Sequence, residues 1–213
     1  MTDSPPHGQL TELEIGDDAE AWVAAGFAVQ AGAIRLGDVT LRLVGGHADR
    51  GILGWSLHGV STAVDGLPPV AAAHVAVEPA EHPNGVTSID HLVVETDDFG
   101  RTIPELEAAG LELRRTRTFD LGDGERQQCF FWMGSVILEL VGMVAPAPQA
   151  AAPARFWGLA LISPDLETTA EHLGEATSPP KDAVQKGRRI STLRTRDLGI
   201  SVPVAFMSPH VAG

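Results

Sequence analysis

Val86-Thr87-Ser88-Ile89-Asp90-His91-Leu92-Val93-Val94-Glu95-Thr96-Asp97-Asp98 is the stretch on which the fold turns. Its first ten residues are rich in β-branched side chains and read as a strand. Asp97-Asp98 then offers N-cap chemistry, because a short carboxylate can accept from the free N–H groups of a first helical turn. A helix over residues 101–109 follows and stops at Gly110. Residues 111–119 and 126–133 read as strands around the turn-rich Leu121-Gly122-Asp123-Gly124. Gly134-Ser135 reverses the chain into a last strand over residues 136–141. The order is β-α-β-β-β. Two ionisable residues interrupt its apolar strands, His91 in the first and Glu139 in the last.

Side chains alternate along a strand, so Ile89, His91 and Val93 are expected on one face, with Leu92 and Val94 turned toward the helix. By the same rule Glu139 shares a face with Ile137 and Val141, opposite Val136, Leu138 and Leu140.

The pattern recurs. Ile34 to Gly45 lines up without gaps against Phe131 to Gly142, each a strand, a glycine turn and a strand. Before the first copy come a strand-like run at 10–15, Asp17-Asp18 in the place of Asp97-Asp98, and a short helix pattern at 19–25. A third unit opens with a strand at 156–162 and a helix at 166–173 behind Ser163-Pro164-Asp165, where proline costs the helix no N–H bond. Strands at 188–196 and 202–207 then flank Gly199. Matching Asp165 to Asp98 puts Gly158 where His91 stands and Phe206 near the place of Glu139. In the first copy Arg42 takes the place of Glu139, and Thr11 that of His91. The expected organisation is a partly degenerate N-terminal repeat at 1–80, including a strand at 70–77, and a better preserved pair at 86–209. A Pro/Ala linker at 145–153 joins the members of that pair.

Composition narrows the function. The 213 residues are 44% hydrophobic and can bury a substantial core. A formal net charge of −13, with Lys and Arg spread along the chain, argues against nucleic acid or an anionic membrane as partner. The single cysteine, Cys129, precludes an intramolecular disulfide and a cysteine zinc site, and it reads as a small core residue. The N-terminus lacks a signal-peptide pattern, and no apolar run is long enough to span a bilayer. A cytoplasmic protein acting on a small-molecule ligand is expected.

Tandem βαβββ units with a His in the first strand and a Glu in the last resemble the vicinal oxygen chelate superfamily. That group includes glyoxalase I, extradiol dioxygenases and bleomycin-resistance proteins. The resemblance implies an α+β fold in which repeated βαβββ modules form curled mixed sheets around a crevice. It implies His91 and Glu139 as metal ligands and catalytic residues, with an unplaced third ligand from His47, His58, His74, His82, His172 or His210. An imidazole with a carboxylate suits zinc, iron, manganese or nickel. It implies a glyoxalase-like enzyme, of lyase, isomerase or dioxygenase type, acting on an oxygenated substrate.

Other readings of the same residues stay open. His91 and Glu139 also make sense as a hydrogen-bonded pair in a crevice without metal, or as a site where Glu139 is a base that His91 orients. The chain also reads as a non-catalytic binding protein that sequesters a small molecule, or as an assembly unit such as a homodimer. Trp132, Phe131 and Arg194 are candidates for substrate contact, against core packing for the aromatics and a solvated face for Arg188, Arg189, Arg194 and Arg196.

Overall fold

The structure is a computed structural model that describes residues 6–46, 49–70, 77–120, 122, 124–144 and 152–210. The body of the strand expected at 70–77 falls outside these residues.

The chain begins with β1 (Leu10–Ile15), α1 (Ala19–Ala24), β2 (Ala33–Leu36), β3 (Val39–Leu43) and β4 (Ile52–Leu57). These strands make one sheet in the order β2-β3-β1-β4, with β1 parallel to β3. The second unit is β5 (Ser88–Glu95), α2 (Phe99–Ala108), β6 (Glu112–Asp120), β7 (Glu125–Met133) and β8 (Val136–Met143). The third is β9 (Arg155–Ile162), α3 (Leu166–Leu173), β10 (Lys181–Asp182), β11 (Arg189–Thr192) and β12 (Val204–Met207). Both are β-α-β-β-β. They join in one mixed sheet, β10-β11-β12-β9-β5-β8-β7-β6, and each closes by pairing its first strand in parallel with its last. The fold class is α+β, as expected.

The repeats share local chemistry. Asp98 caps α2 by accepting from the Arg101 N–H, and Asp165 caps α3 by accepting from the Thr168 N–H. Behind each cap a hydroxyl two residues upstream meets a threonine of the helix: Thr96 with Thr102 at 2.6 Å and Ser163 with Thr169 at 2.7 Å. These buried hydroxyl pairs fix each helix against the end of the strand before it. Gly37 and Gly134 turn the equivalent β2–β3 and β7–β8 hairpins at φ 59° and 76°, a conformation that favours glycine. The strand expected at 188–196 stops at Thr192, because the Arg194 N–H bonds the Ala176 carbonyl and residues 195–198 form a 3-10 turn.

One face of the long sheet is apolar and covered. Leu92, Val94, Cys129, Phe131, Met133, Leu138 and Leu140 share a buried cluster with Leu106 of α2. Both sheets contribute to that cluster, and Trp55 of β4 meets Phe156 of β9 edge-on at 5.3 Å. Buried polar joints tie the repeats together. Asp17, fully buried, accepts from Trp22, Arg50 and Ser201. Among the described residues no helix is long and apolar enough to cross a membrane.

Candidate functional site

The uncovered face of the long sheet carries the site, and the register places each side chain. Paired residues on adjacent strands point the same way. Val93 pairs with Glu139, Glu139 with Phe130, His91 with Ile137, and Ile137 with Trp132. These side chains share the uncovered face, half-buried or exposed, while Leu92, Leu138 and Phe131 occupy the covered one.

His91 and Glu139 come together as the sequence implied: Nε2 of His91 lies 3.3 Å from Oε2 of Glu139, and each side chain is 13% exposed. Gln128, on β7, donates to the other oxygen of Glu139. Burial pushes the Glu139 carboxyl above the usual carboxylate range, more than the opposing charges of His91 and Arg117 lower it.

The alternation rule failed at one position. Ile89 pairs with Leu161 and His91 with Ala160, so Asp90 is an extra residue in β5. This β-bulge puts Asp90 and His91 on the same side and sends Ile89 to the covered face. Asp90 therefore reaches its neighbour, with Oδ2 at 2.7 Å from Nδ1 of His91. Arg188 grips Asp90 through both terminal nitrogens, at 2.9 and 3.1 Å. Burial alone would raise the Asp90 carboxyl. The hydrogen bonds and charges of His91 and Arg188 outweigh it and hold Asp90 down at about 2. The result is a line of groups from Arg188 through Asp90 and His91 to Glu139 and Gln128.

Several sequence expectations need correction. Phe131 is fully buried on the covered face, because Trp132 and Phe130 take the open one. Arg194 is exposed at the cap of the 3-10 turn, and Arg188, read as part of a solvated face, is the buried arginine at the site. Gly158 keeps the place of His91 in the third unit, since Asp165 caps its helix as Asp98 does, and Ala205, beside buried Phe206, takes that of Glu139 because it pairs with Ala160 as Glu139 pairs with Val93. In the first repeat Glu12, not Thr11, is the equivalent of His91. Arg42 pairs with Glu14 as Glu139 pairs with Val93, and Glu12 precedes Glu14 as His91 precedes Val93.

The six candidate histidines separate clearly. His82 is buried, its ring bonded to the Ala28 N–H and the Arg35 carbonyl. His58 and His172 are exposed, and His47 and His74 lie outside the described residues. His210 reaches Asp90 at 3.5 Å and Arg188 at 3.2 Å, on the far side of Asp90 from Glu139. Among the described residues no three His, Cys, Asp or Glu side chains converge as a metal site needs. His91 and Glu139 offer two donors, Asp90 is committed to Arg188, and Ala160 and Ala205 add none. This donor set does not fit a resident catalytic metal, which ordinarily has three protein ligands. Beside the site, Trp132, Ile137, Ile162, Pro209, Ser88 and His210 border a cleft of about 280 Å³.

No family model matches the sequence, and no curated protein matches it. Solved structures do. A fusion of a xylose isomerase-like TIM barrel with 4-hydroxyphenylpyruvate dioxygenase aligns with 99% of this chain and 50% of its own, at 10% identity and TM-score 0.59. A catechol 2,3-dioxygenase aligns over 94% of this chain and 88% of its own, at 13% identity and TM-score 0.52. The methylmalonyl-CoA epimerase of Mycobacterium tuberculosis covers 66% of this chain and 97% of its own, at 15% identity and TM-score 0.46. Identities this low speak to the fold alone.

Proposed function

Starting from a chain with the vicinal oxygen chelate fold, we propose that it is a small-molecule enzyme of glyoxalase-like type whose Glu139–His91 pair moves a proton on an oxygenated substrate. The observation that carries this reading is the polarised line Arg188–Asp90–His91–Glu139. A carboxyl raised by burial is a stronger base than an exposed one, and a base of this kind contributes about 10²–10⁴-fold in rate. Asp90, held ionised by Arg188, accepts from Nδ1–H of His91 and so fixes the ring. One proton then lies between Nε2 and Glu139.

With Glu139 ionised, that proton sits on Nε2. A substrate placed against Val93 and Phe130 presents a carbon next to a carbonyl to Glu139. The carboxylate takes the proton from carbon, and the C–H electron pair becomes an enolate with its charge on the carbonyl oxygen. Nε2–H of His91 donates to that oxygen. Return of the proton from Glu139 to carbon completes an isomerisation or exchange. No step uses a metal, and an added divalent ion would be held weakly by two donors.

A second reading is favoured by the exposed indoles of Trp132 and Trp157, 45% and 50% exposed. Aromatic surface of this kind suits sequestration of a small molecule without turnover. One experiment separates the two. Small 2-oxo and 2-hydroxy carbonyl compounds are incubated with the protein in D2O, and deuterium uptake at carbon is followed by NMR. Exchange that falls by about 10²-fold in Glu139→Gln supports the enzyme. Binding without exchange supports sequestration, and exchange indifferent to Glu139→Gln overturns the role given to Glu139.

A further inference from the structure

The open face of the long sheet ends at β6, an edge strand whose sequence, Glu112-Leu113-Arg114-Arg115-Thr116-Arg117-Thr118-Phe119-Asp120, is unusually basic for a chain of net charge −13. The register sorts its side chains. Arg115 pairs with Phe130, and Phe130 with Glu139; Arg117 pairs with Gln128, which donates to Glu139. Arg115 and Arg117 therefore stand on the same face as the His91–Glu139 pair, and Thr116 opposes buried Cys129 on the other. Arg115 is exposed and Arg117 is half-buried. The Arg117 guanidinium lies 5.0 Å from the centre of the Phe119 ring, which holds it without neutralising it. Among the described residues Arg117 has no hydrogen bond or ion pair to a carboxylate, whereas Arg42, Arg50, Arg101, Arg155, Arg188 and Arg189 all have one.

We infer that Arg117, with Arg115 behind it, is an oxyanion-binding subsite of the crevice, and that the substrate is a small apolar or aromatic molecule carrying a carboxylate or a phosphate ester. Three features point the same way. A guanidinium held beside an aromatic ring, with no carboxylate in hydrogen-bond contact among the described residues, is suited to bidentate capture of either anion. Phe130, on the strand between β6 and β8, and Val93, Val141, Ile137 and Trp132 around the proton-transfer pair make the open face largely apolar, with Gln128 the polar residue between Arg117 and Glu139, which suits a hydrophobic body. The spacing also fits. β6 and β8 are two strand intervals apart, about 10 Å, and the arginine side chain spans much of that. The anion would sit a few bonds from the carbon facing Glu139. Arg117 also acts on Glu139 directly, since its charge opposes the upward push of burial on that carboxyl.

This substrate class rests on the proton-transfer reading, but the subsite is testable without turnover. Phenylacetate, phenyl phosphate and the neutral phenylacetamide are titrated into the ¹⁵N-labelled protein. The Arg117 Nε–H and the Trp132 indole N–H are followed by NMR. An anion should move both signals and bind more tightly than the amide, and Arg117→Gln should weaken anion binding by about tenfold while leaving the amide unchanged. Preference for phenylacetate over phenyl phosphate assigns a carboxylate, and the reverse order a phosphate ester. Arg115→Gln, on the exposed edge, gives a second and smaller loss in case Arg117→Gln perturbs the strand. Glu139→Gln should leave anion binding intact or strengthen it, so a failure of proton transfer leaves this subsite standing. Equal binding of acid, phosphate and amide, unaffected by Arg117→Gln, overturns it.

Discussion

Arg42 reaches Glu12 with its Nε 2.7 Å from Oε1, on the two parallel strands of the first repeat that correspond to those holding His91 and Glu139. Glu14 adds a second carboxylate to the same guanidinium. Burial works against the charge of Arg42, but the hydrogen bonds and charges of Glu12 and Glu14 more than restore it. One repeat thus fills the position with a satisfied ion cluster, and the other with a histidine beside a carboxyl, Nε2 3.3 Å from Oε2. Arg42→Ala should destabilise the protein by about 3 kcal/mol, since it strands the buried Glu12 carboxylate. Adding Glu12→Leu should recover part of that loss. Urea unfolding of both variants checks this, and an unchanged midpoint for Arg42→Ala would rule it out.

Arg188 makes a sharper case, because both it and Asp90 are almost fully buried. Arg188→Met should cost about 3–5 kcal/mol by leaving an uncompensated carboxylate inside the protein. Arg188→Met with Asp90→Asn should be more stable than Arg188→Met alone. A double-mutant cycle by urea denaturation measures the coupling, and additive losses would mean that the two residues do not depend on each other.

The Asp90 carboxyl also sets a pH window. Its folded-state value of about 2 lies below the ordinary 3.8, so the unfolded chain binds the proton more readily. The stability it contributes, about 2 kcal/mol, is fully present above pH 4 and is lost as the pH falls from about 4 to about 2. Asp90→Asn should flatten the acid limb of the stability profile over that interval.

Glu139 has the opposite sign. Its carboxyl is raised, so the stability it contributes is fully present below the ordinary carboxylate range and is lost as the pH rises through the folded-state value. Glu139→Gln should therefore raise the melting temperature at pH 7 while slowing proton exchange by about 10²-fold. A fall in melting temperature at that pH would show that the ionised carboxylate is stabilised where it stands.

Divalent zinc, manganese, nickel or ferrous ion should raise the melting temperature of the wild type little, and by the same amount in Glu139→Ala. The contrary result is a stoichiometric metal retained through purification and abolished by His91→Ala. That would bring in a ligand from outside the described residues.

Local rules carried much of the description. β1 spans residues 10–15 as its pattern implied, the aspartates at 98 and 165 cap the helices they precede, and Gly37 and Gly134 turn equivalent hairpins. The pairing of His91 with Glu139 was legible as well, through the position of each residue within a repeated unit. These properties depend on a few neighbouring residues, or on a pattern that recurs along the chain.

The rest was decided in three dimensions. Alternation cannot register one extra residue in a strand, so the bulge that turns Asp90 beside His91 was invisible, as was the register that makes Glu12 the equivalent of His91. Phe131 and Trp132 are adjacent aromatics that either face would accept, and only the covering layer, Leu106 of α2 included, settles which is buried. Arg188 sits among other arginines 98 residues beyond Asp90. Sequence gives the charge of each, but their bond exists because β9 pairs with β5 and carries the third unit across to the second. Periodicity is a property of a strand by itself, and a buried ion pair is a property of how strands from distant parts of the chain are laid side by side.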